Sequence, residues 1–142
     1  MFKSIILFIF LFINLISFSQ TIRSKDRYSD KLYFVDQNVI RSKDRYGDKL
    51  FYFDGQTIRH KDQYGDKLFY IDGNNIRKKD QYGQQLYYFD GNTIRYENKN
   101  GDKLFYIDGN IIRRKDQYGQ QLYYFEMSPK IWMIVCVINQ FF

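Results

Sequence analysis

An 18-residue unit runs six times through this chain, and it limits the fold more than any other feature. Ile22, Ile40, Ile58, Ile76, Ile94 and Ile112 stand 18 residues apart with no insertion between them. The clearest copy runs from Ile58 to Asn75. A fixed short period means one small unit packed on copies of itself, because a single unit cannot bury its apolar face alone. It also means that no one position is singled out for chemistry.

Each unit holds two short runs of strand-forming residues and two turn signals. Lys67-Leu68-Phe69-Tyr70-Ile71 is aromatic and β-branched, as strands prefer. Asp72-Gly73 reads as a tight hairpin turn, since glycine accepts positive φ. Ile76 to Lys79 is the return strand. Asp80-Gln81-Tyr82-Gly83 closes the unit, with Gly83 suited to the left-handed position after a type I turn. The expectation is an all-β fold of six tandem hairpins, about twelve strands of four to six residues. No stretch shows sustained helical periodicity. Phe69 and Ile71 point one way along the strand, and Leu68 and Tyr70 the other. Both faces are apolar, so each hairpin must be covered by its neighbours.

The copies differ. Asp66, Lys67, Phe69 and Ile71 recur as Asp102, Lys103, Phe105 and Ile107, while the alternate copies carry Gln84, Gln85, Tyr87 and Phe89, then Gln120, Gln121, Tyr123 and Phe125. The last four units are thus a duplicated pair. The first unit is worn, with Ser29 and Gln37 where later copies have glycine.

The two ends break the pattern. Residues 1–19 have the layout of a secretory signal peptide: Lys3, an apolar run from Ile5 to Ile16, and small residues at Ser17 and Ser19. The processed chain is expected to begin near Gln20 and to be exported to the periplasm, the cell surface or the medium. Residues 20–129 hold the repeats. Residues 130–142 form an apolar closing segment, continuously apolar from Ile131 to Ile138. Exposed, that run would be an aggregation hazard, so it is expected to be buried as a plug or closing strand. It is too short to span a bilayer as a helix, and the repeat strands fall short of the ~9–11 residues of membrane strands.

Setting Lys3 aside, 21 basic residues face 16 acidic ones, a net charge of +5. The signs are interleaved: Arg59, Lys61 and Lys67 stand against Asp62, Asp66 and Asp72 in one unit. A nucleic-acid binder would show a one-sign stripe, so nucleic acid is not an expected partner. The lone Cys136 cannot form an internal disulfide.

Catalytic chemistry has no candidate set. His60 is the only histidine, and its equivalents are Ser24, Ser42, Lys78, Tyr96 and Arg114. Asp62 and Asp66 flank Gly65 in a way that Ca²⁺ loops use. Lys61 and Lys67 lie beside them, however, and Gln84 and Gln120 replace the second carboxylate elsewhere. Turn-forming aspartate fits better, and neither metal nor cofactor is expected. What remains is a column of Tyr52, Tyr70, Tyr88, Tyr106 and Tyr124 beside Arg59, Arg77 and Arg95. Exposed, these side chains would stack on sugars or hold anionic polymers. The plainer reading has arginine stems and tyrosine rings packing between hairpins with polar tips in water.

The run Phe18-Ser19-Gln20 into Thr21-Ile22-Arg23 resembles the small exported bacterial five-fold beta-flower proteins. So does Thr57-Ile58-Arg59 with Gly65 and Leu68-Phe69-Tyr70-Ile71-Asp72-Gly73, and so do Lys130, Trp132 and the terminal Phe141-Phe142. The resemblance implies short hairpins arranged radially about an axis and brings no activity with it. The chain departs from that family in having six units. It also has aromatics at Phe51, Phe69, Tyr87, Phe105 and Tyr123, where glycine is usual there. More faintly, Leu86 to Gly91 is similar to the aromatic hairpins of glucan- and choline-binding cell-wall repeats. Residues alone leave open whether the hairpins close into a ring or stack as an open array. The function they imply is a non-enzymatic exported structural or interaction module. The alternative is a repeat protein binding carbohydrate or another envelope polymer; a protein partner would suit the first reading.

Overall fold

The structure, a computed structural model, describes residues 18–141. The expected leader lies outside the described residues except for Phe18 and Ser19. Twelve strands alternate along the chain; the odd-numbered ones after the six-residue β1 have four residues each, and the even-numbered ones five or six. The odd strands are β1 (Ser19–Ser24), β3 (Val39–Ser42), β5 (Thr57–His60), β7 (Asn75–Lys78), β9 (Thr93–Tyr96) and β11 (Ile111–Arg114). The even strands are β2 (Lys31–Asp36), β4 (Lys49–Phe53), β6 (Lys67–Asp72), β8 (Gln85–Asp90), β10 (Lys103–Asp108) and β12 (Gln121–Phe125). Each pairs antiparallel with its sequence neighbours, and β1 also pairs with β12, so the sheet is a closed barrel. At that seam Ile22 lies opposite Phe125 and Arg23 opposite Tyr124. Closure resolves the ring-or-array question in favour of a ring, and it removes every exposed sheet edge.

The isoleucine of each repeat faces inward; all six are fully buried. Phe69, Tyr87, Phe105 and Tyr123 pair with these isoleucines and share their face. The aromatics that distinguish the repeat thus serve the interior. Twelve strands enclose more space than the eight that side chains alone can fill, and large rings help to close the gap.

The rest of the gap is filled by the tail. Ile131–Ile138 forms a helix, α1, whose residues from Trp132 onward are all buried, followed by a 3₁₀ turn at Asn139–Phe141. Trp132 stacks on Phe53 of β4 at 5.0 Å between ring centroids. On the far side of the seam the Tyr123 hydroxyl donates to the Val137 carbonyl at 3.0 Å. Burial of the tail matches the sequence expectation, but its conformation does not: local composition favoured a strand and gave no helical period. The physical reason is the closed ring. A strand inside the barrel would find no free edge to pair with, whereas a helix satisfies its own backbone. A helix apolar all round belongs in such a core.

The buried Gln20 fastens the two ends together. Its amide oxygen accepts from the Met127 backbone N–H at 3.1 Å, and its nitrogen approaches the Met133 sulfur at 3.5 Å. The Phe18 carbonyl accepts from the Gln37 N–H, and Ser19 pairs with Asp36, so the fold already includes the two residues ahead of Gln20.

Candidate functional site

The up-and-down order places all odd-to-even turns on one rim and all Asp-Gly turns on the other. The odd-to-even turns are the more elaborate. Each leads into a bulge: Ile58 pairs with Phe69 but Arg59 pairs with Lys67, which leaves Leu68 unpaired and half-buried against the core. Bulges of this kind bend a strand and re-aim its side chains. The Leu68 carbonyl then accepts from the Lys79 N–H at 2.8 Å. Lys79 has φ 69°, a left-handed conformation that turns the chain off the sheet. The same bond recurs round the ring and is completed across the seam by Lys25 N–H to Leu122 carbonyl at 3.1 Å.

Here the structure corrects the sequence reading. The left-handed residue is Lys79 and its equivalents, not Gly83. Gly83 is needed for space: a Cβ there would lie 1.6 Å from the Lys78 carbonyl oxygen. In the worn first turn Ser29 occupies this place. Among the described residues that turn alone lacks the tight bond that Asp44, Asp62, Asp80, Asn98 and Asp116 make back to the carbonyl two residues earlier. The Asp-Gly turns behave as expected, with Gly73 at φ 59° at the first loop position.

The turn aspartates are fully used. Asp80 Oδ1 accepts from the Tyr82 N–H at 2.9 Å, and Asp44, Asp62 and Asp116 repeat the bond. In the first turn the Tyr28 N–H and the Ser29 side chain hold the Asp26 carboxyl below the usual range. These are Asx turns, and among the described residues no cluster suited to a metal ion forms.

The predicted arginines brace the turns. Arg59 lies on a strand only four residues long and reaches both ends of it. Its Nη1 donates to the Gly65 carbonyl at 3.2 Å, and its Nε lies 3.2 Å from the Asp54 carboxylate. Arg95 and Arg113 do the same with Asp90 and Asp108, and Arg77 more loosely with Asp72 at 3.8 Å. Burial pushes the Asp54 carboxyl up, but bonds from the Thr57 N–H and Arg59 outweigh it and leave the group lowered. Tyr52, Tyr70, Tyr88, Tyr106 and Tyr124 are half-buried on the outer wall, each opposite an arginine of the next strand in the ring. His60 is an exposed residue at the end of β5.

The most exposed aromatics are others. Tyr28 is 81% exposed, and Tyr46, Tyr64, Tyr82 and Tyr118 are each 87% exposed, all at the third position of the odd-to-even turns. The sequence reading placed Tyr82 in the turn that closes the unit and gave it no role. The signal was present: an Asx turn tolerates almost any residue there, yet five of six copies carry tyrosine, and Asn100 is the exception. The turns that carry Tyr46, Tyr82 and Tyr118 each overhang the outer wall of the preceding hairpin. Thr57, Lys67 and Tyr70 of the wall and Asp80, Gln81 and Tyr82 of the turn enclose a groove of about 180 Å³. Equivalent grooves lie under Tyr46 and Tyr118, with volumes of about 310 and 360 Å³. Their wall threonines, Thr21, Thr57 and Thr93, stand 36 residues apart, the period of the duplicated pair.

Burial raises the Cys136 thiol well above its ordinary value, pushes Tyr87 up to about 12, and raises Tyr123 and Tyr33 as well. What the surface can do is stack and hydrogen-bond. Among the described residues no helix is long and apolar enough to cross a membrane. A comparison with curated proteins and one with solved structures each returned no match. A family model described as "6-fold beta flower protein" matches residues 22–136. That description names an architecture and no reaction, and its six-fold count replaces the five-fold one suggested by resemblance. With six hairpins closed round an axis and the match covering most of its length, the chain belongs to the 6-fold beta flower family.

Proposed function

We propose that this protein is a non-enzymatic, exported interaction module that displays a ring of turns to a partner in the cell envelope. The observation that carries the reading is the set of five turn tyrosines, 81–87% exposed on one rim. A large ring held out in water contributes nothing to the core, so its repetition is best explained by what it contacts. The rigid barrel beneath supplies fixed spacing, and repeated weak contacts at fixed spacing bind far more tightly than one alone. A carbohydrate or other envelope polymer is favoured as partner by the grooves beneath three of the tyrosines.

Replacing Tyr28, Tyr46, Tyr64, Tyr82 and Tyr118 together with serine tests the reading. The parent protein should co-sediment with isolated cell envelopes, and the variant should stay in solution with an unchanged melting temperature. Equal sedimentation of both would overturn it. Export is tested by fractionation and mass spectrometry: an exported form beginning near Gln20 is expected, and an exported form that retains Met1 would contradict the leader.

A further inference from the structure

We infer that the three grooves under Tyr46, Tyr82 and Tyr118 are equivalent subsites for a neutral polysaccharide, each taking one or two sugar rings. This rests on the reading of the rim as a binding surface and names the ligand class. At about 180–360 Å³ the grooves are at or below the small end of the ~300–1,000 Å³ that drug-sized ligands occupy. In the central one the exposed Tyr82 ring and the half-buried Tyr70 ring offer flat apolar faces. Around them lie a hydroxyl at Thr57, an amide at Gln81, an ammonium at Lys67 and a carboxylate at Asp80. Donors and acceptors are mixed within one small space. That is the requirement of sugar hydroxyls, which both give and take hydrogen bonds, above and below an apolar ring face.

The charge pattern argues against an anionic ligand. Lys67 and Asp80 line one groove, and Lys103 and Asp116 another, so two of the grooves are close to neutral. The third adds Arg45 and replaces the wall tyrosine with Phe34. A nucleic acid would need one sign along its path. A protein partner would need a contiguous apolar centre, whereas here charged side chains line the same grooves as the aromatic rings. The three grooves lie a third of the ring apart, because their threonines recur every second hairpin. The intervening walls carry Val39, Asn75 and Ile111 in place of threonine, and two of those positions have no hydrogen-bonding side chain.

The test uses the full chain and native gels containing soluble neutral glycans: a β-glucan, a mannan and a xylan in turn. Retardation by at least one is expected. Tyr46→Ala, Tyr82→Ala and Tyr118→Ala combined should weaken it by ~tenfold or more, as loss of multivalency implies. The double variant Tyr28→Ala, Tyr64→Ala removes equally exposed rings outside the threonine grooves and should stay within about twofold of the parent. Equal weakening by both sets would overturn the groove assignment. No retardation by any glycan, while envelope sedimentation still depends on the five tyrosines, would overturn the ligand class and leave the rim reading standing. Retardation by single-stranded DNA in preference to glycan would overturn the neutral-ligand assignment.

Discussion

Deleting the chain after Lys130 removes α1 and should abolish the barrel. The seven residues Trp132 to Ile138 are each 0–5% exposed. At ~1.5–3 kcal/mol for each fully buried large apolar side chain, their burial is worth roughly 10–20 kcal/mol. That figure is an upper one, since the unfolded chain already hides part of this surface. It still matches or exceeds the ~5–15 kcal/mol by which a whole domain is stable. The loss is compounded because the inward isoleucines would then line an empty space. A graded version is Ile134→Ala, at a position 1% exposed in the middle of α1. It should cost ~2–5 kcal/mol and lower the melting temperature by roughly 10 °C or more. Thermal unfolding followed by circular dichroism, with size-exclusion chromatography of the truncated chain, reads both. A truncated protein that is soluble, monomeric and as heat-stable as the parent would refute the claim that the helix is the core.

The two classes of glycine should respond differently. Gly65→Ala drives a Cβ into the His60 carbonyl oxygen, 1.6 Å away, and should cost ~1–3 kcal/mol or more by chemical denaturation. Gly73→Asn should be nearly neutral, because Gln37 already adopts φ 55° at the same place in the first unit and asparagine tolerates that conformation. Alkaline stability should follow the buried phenols. An unfolded tyrosine ionises near ~10, while folded Tyr87 is held neutral up to about 12. Its stabilising contribution is therefore full below pH ~10 and is lost as pH rises from there towards 12. Denaturation midpoints should fall across that window, and less steeply in Tyr87→Phe. An identical slope in the variant would contradict the assignment.

The repeat made the hairpins legible because both turns and both strands announce themselves in each copy. Ile58, Phe69 and Gly73 take the places their chemistry suggests. Three things were hidden. Whether a ring closes depends on how strand twist and bulges add up over six units, and no single copy contains that sum; the Leu68 bulge shows only as a slip in pairing between Ile58 and Arg59. The tail was read as apolar and buried, correctly, but Ile134, Val135 and Val137 favour a strand locally, and only the lack of a free edge makes them helical. Within the candidate site, the arginines that looked available are engaged with turn carbonyls and aspartates. The tyrosines that looked incidental project furthest. Column position in a repeat says which face a residue takes, but left-handed Lys79 decides which way the turn leans.

The spacing of the rim and the burial of α1 both require a complete ring. The most direct measurement is the β1–β12 seam by solution NMR of the full chain, with hydrogen exchange on the same sample. Cross-strand contacts of Ile22 with Phe125 and of Arg23 with Tyr124 are expected, with seam amides protected as well as those between β5 and β6. Absence of those contacts, with β1 and β12 amides exchanging as free edges do, would contradict the ring.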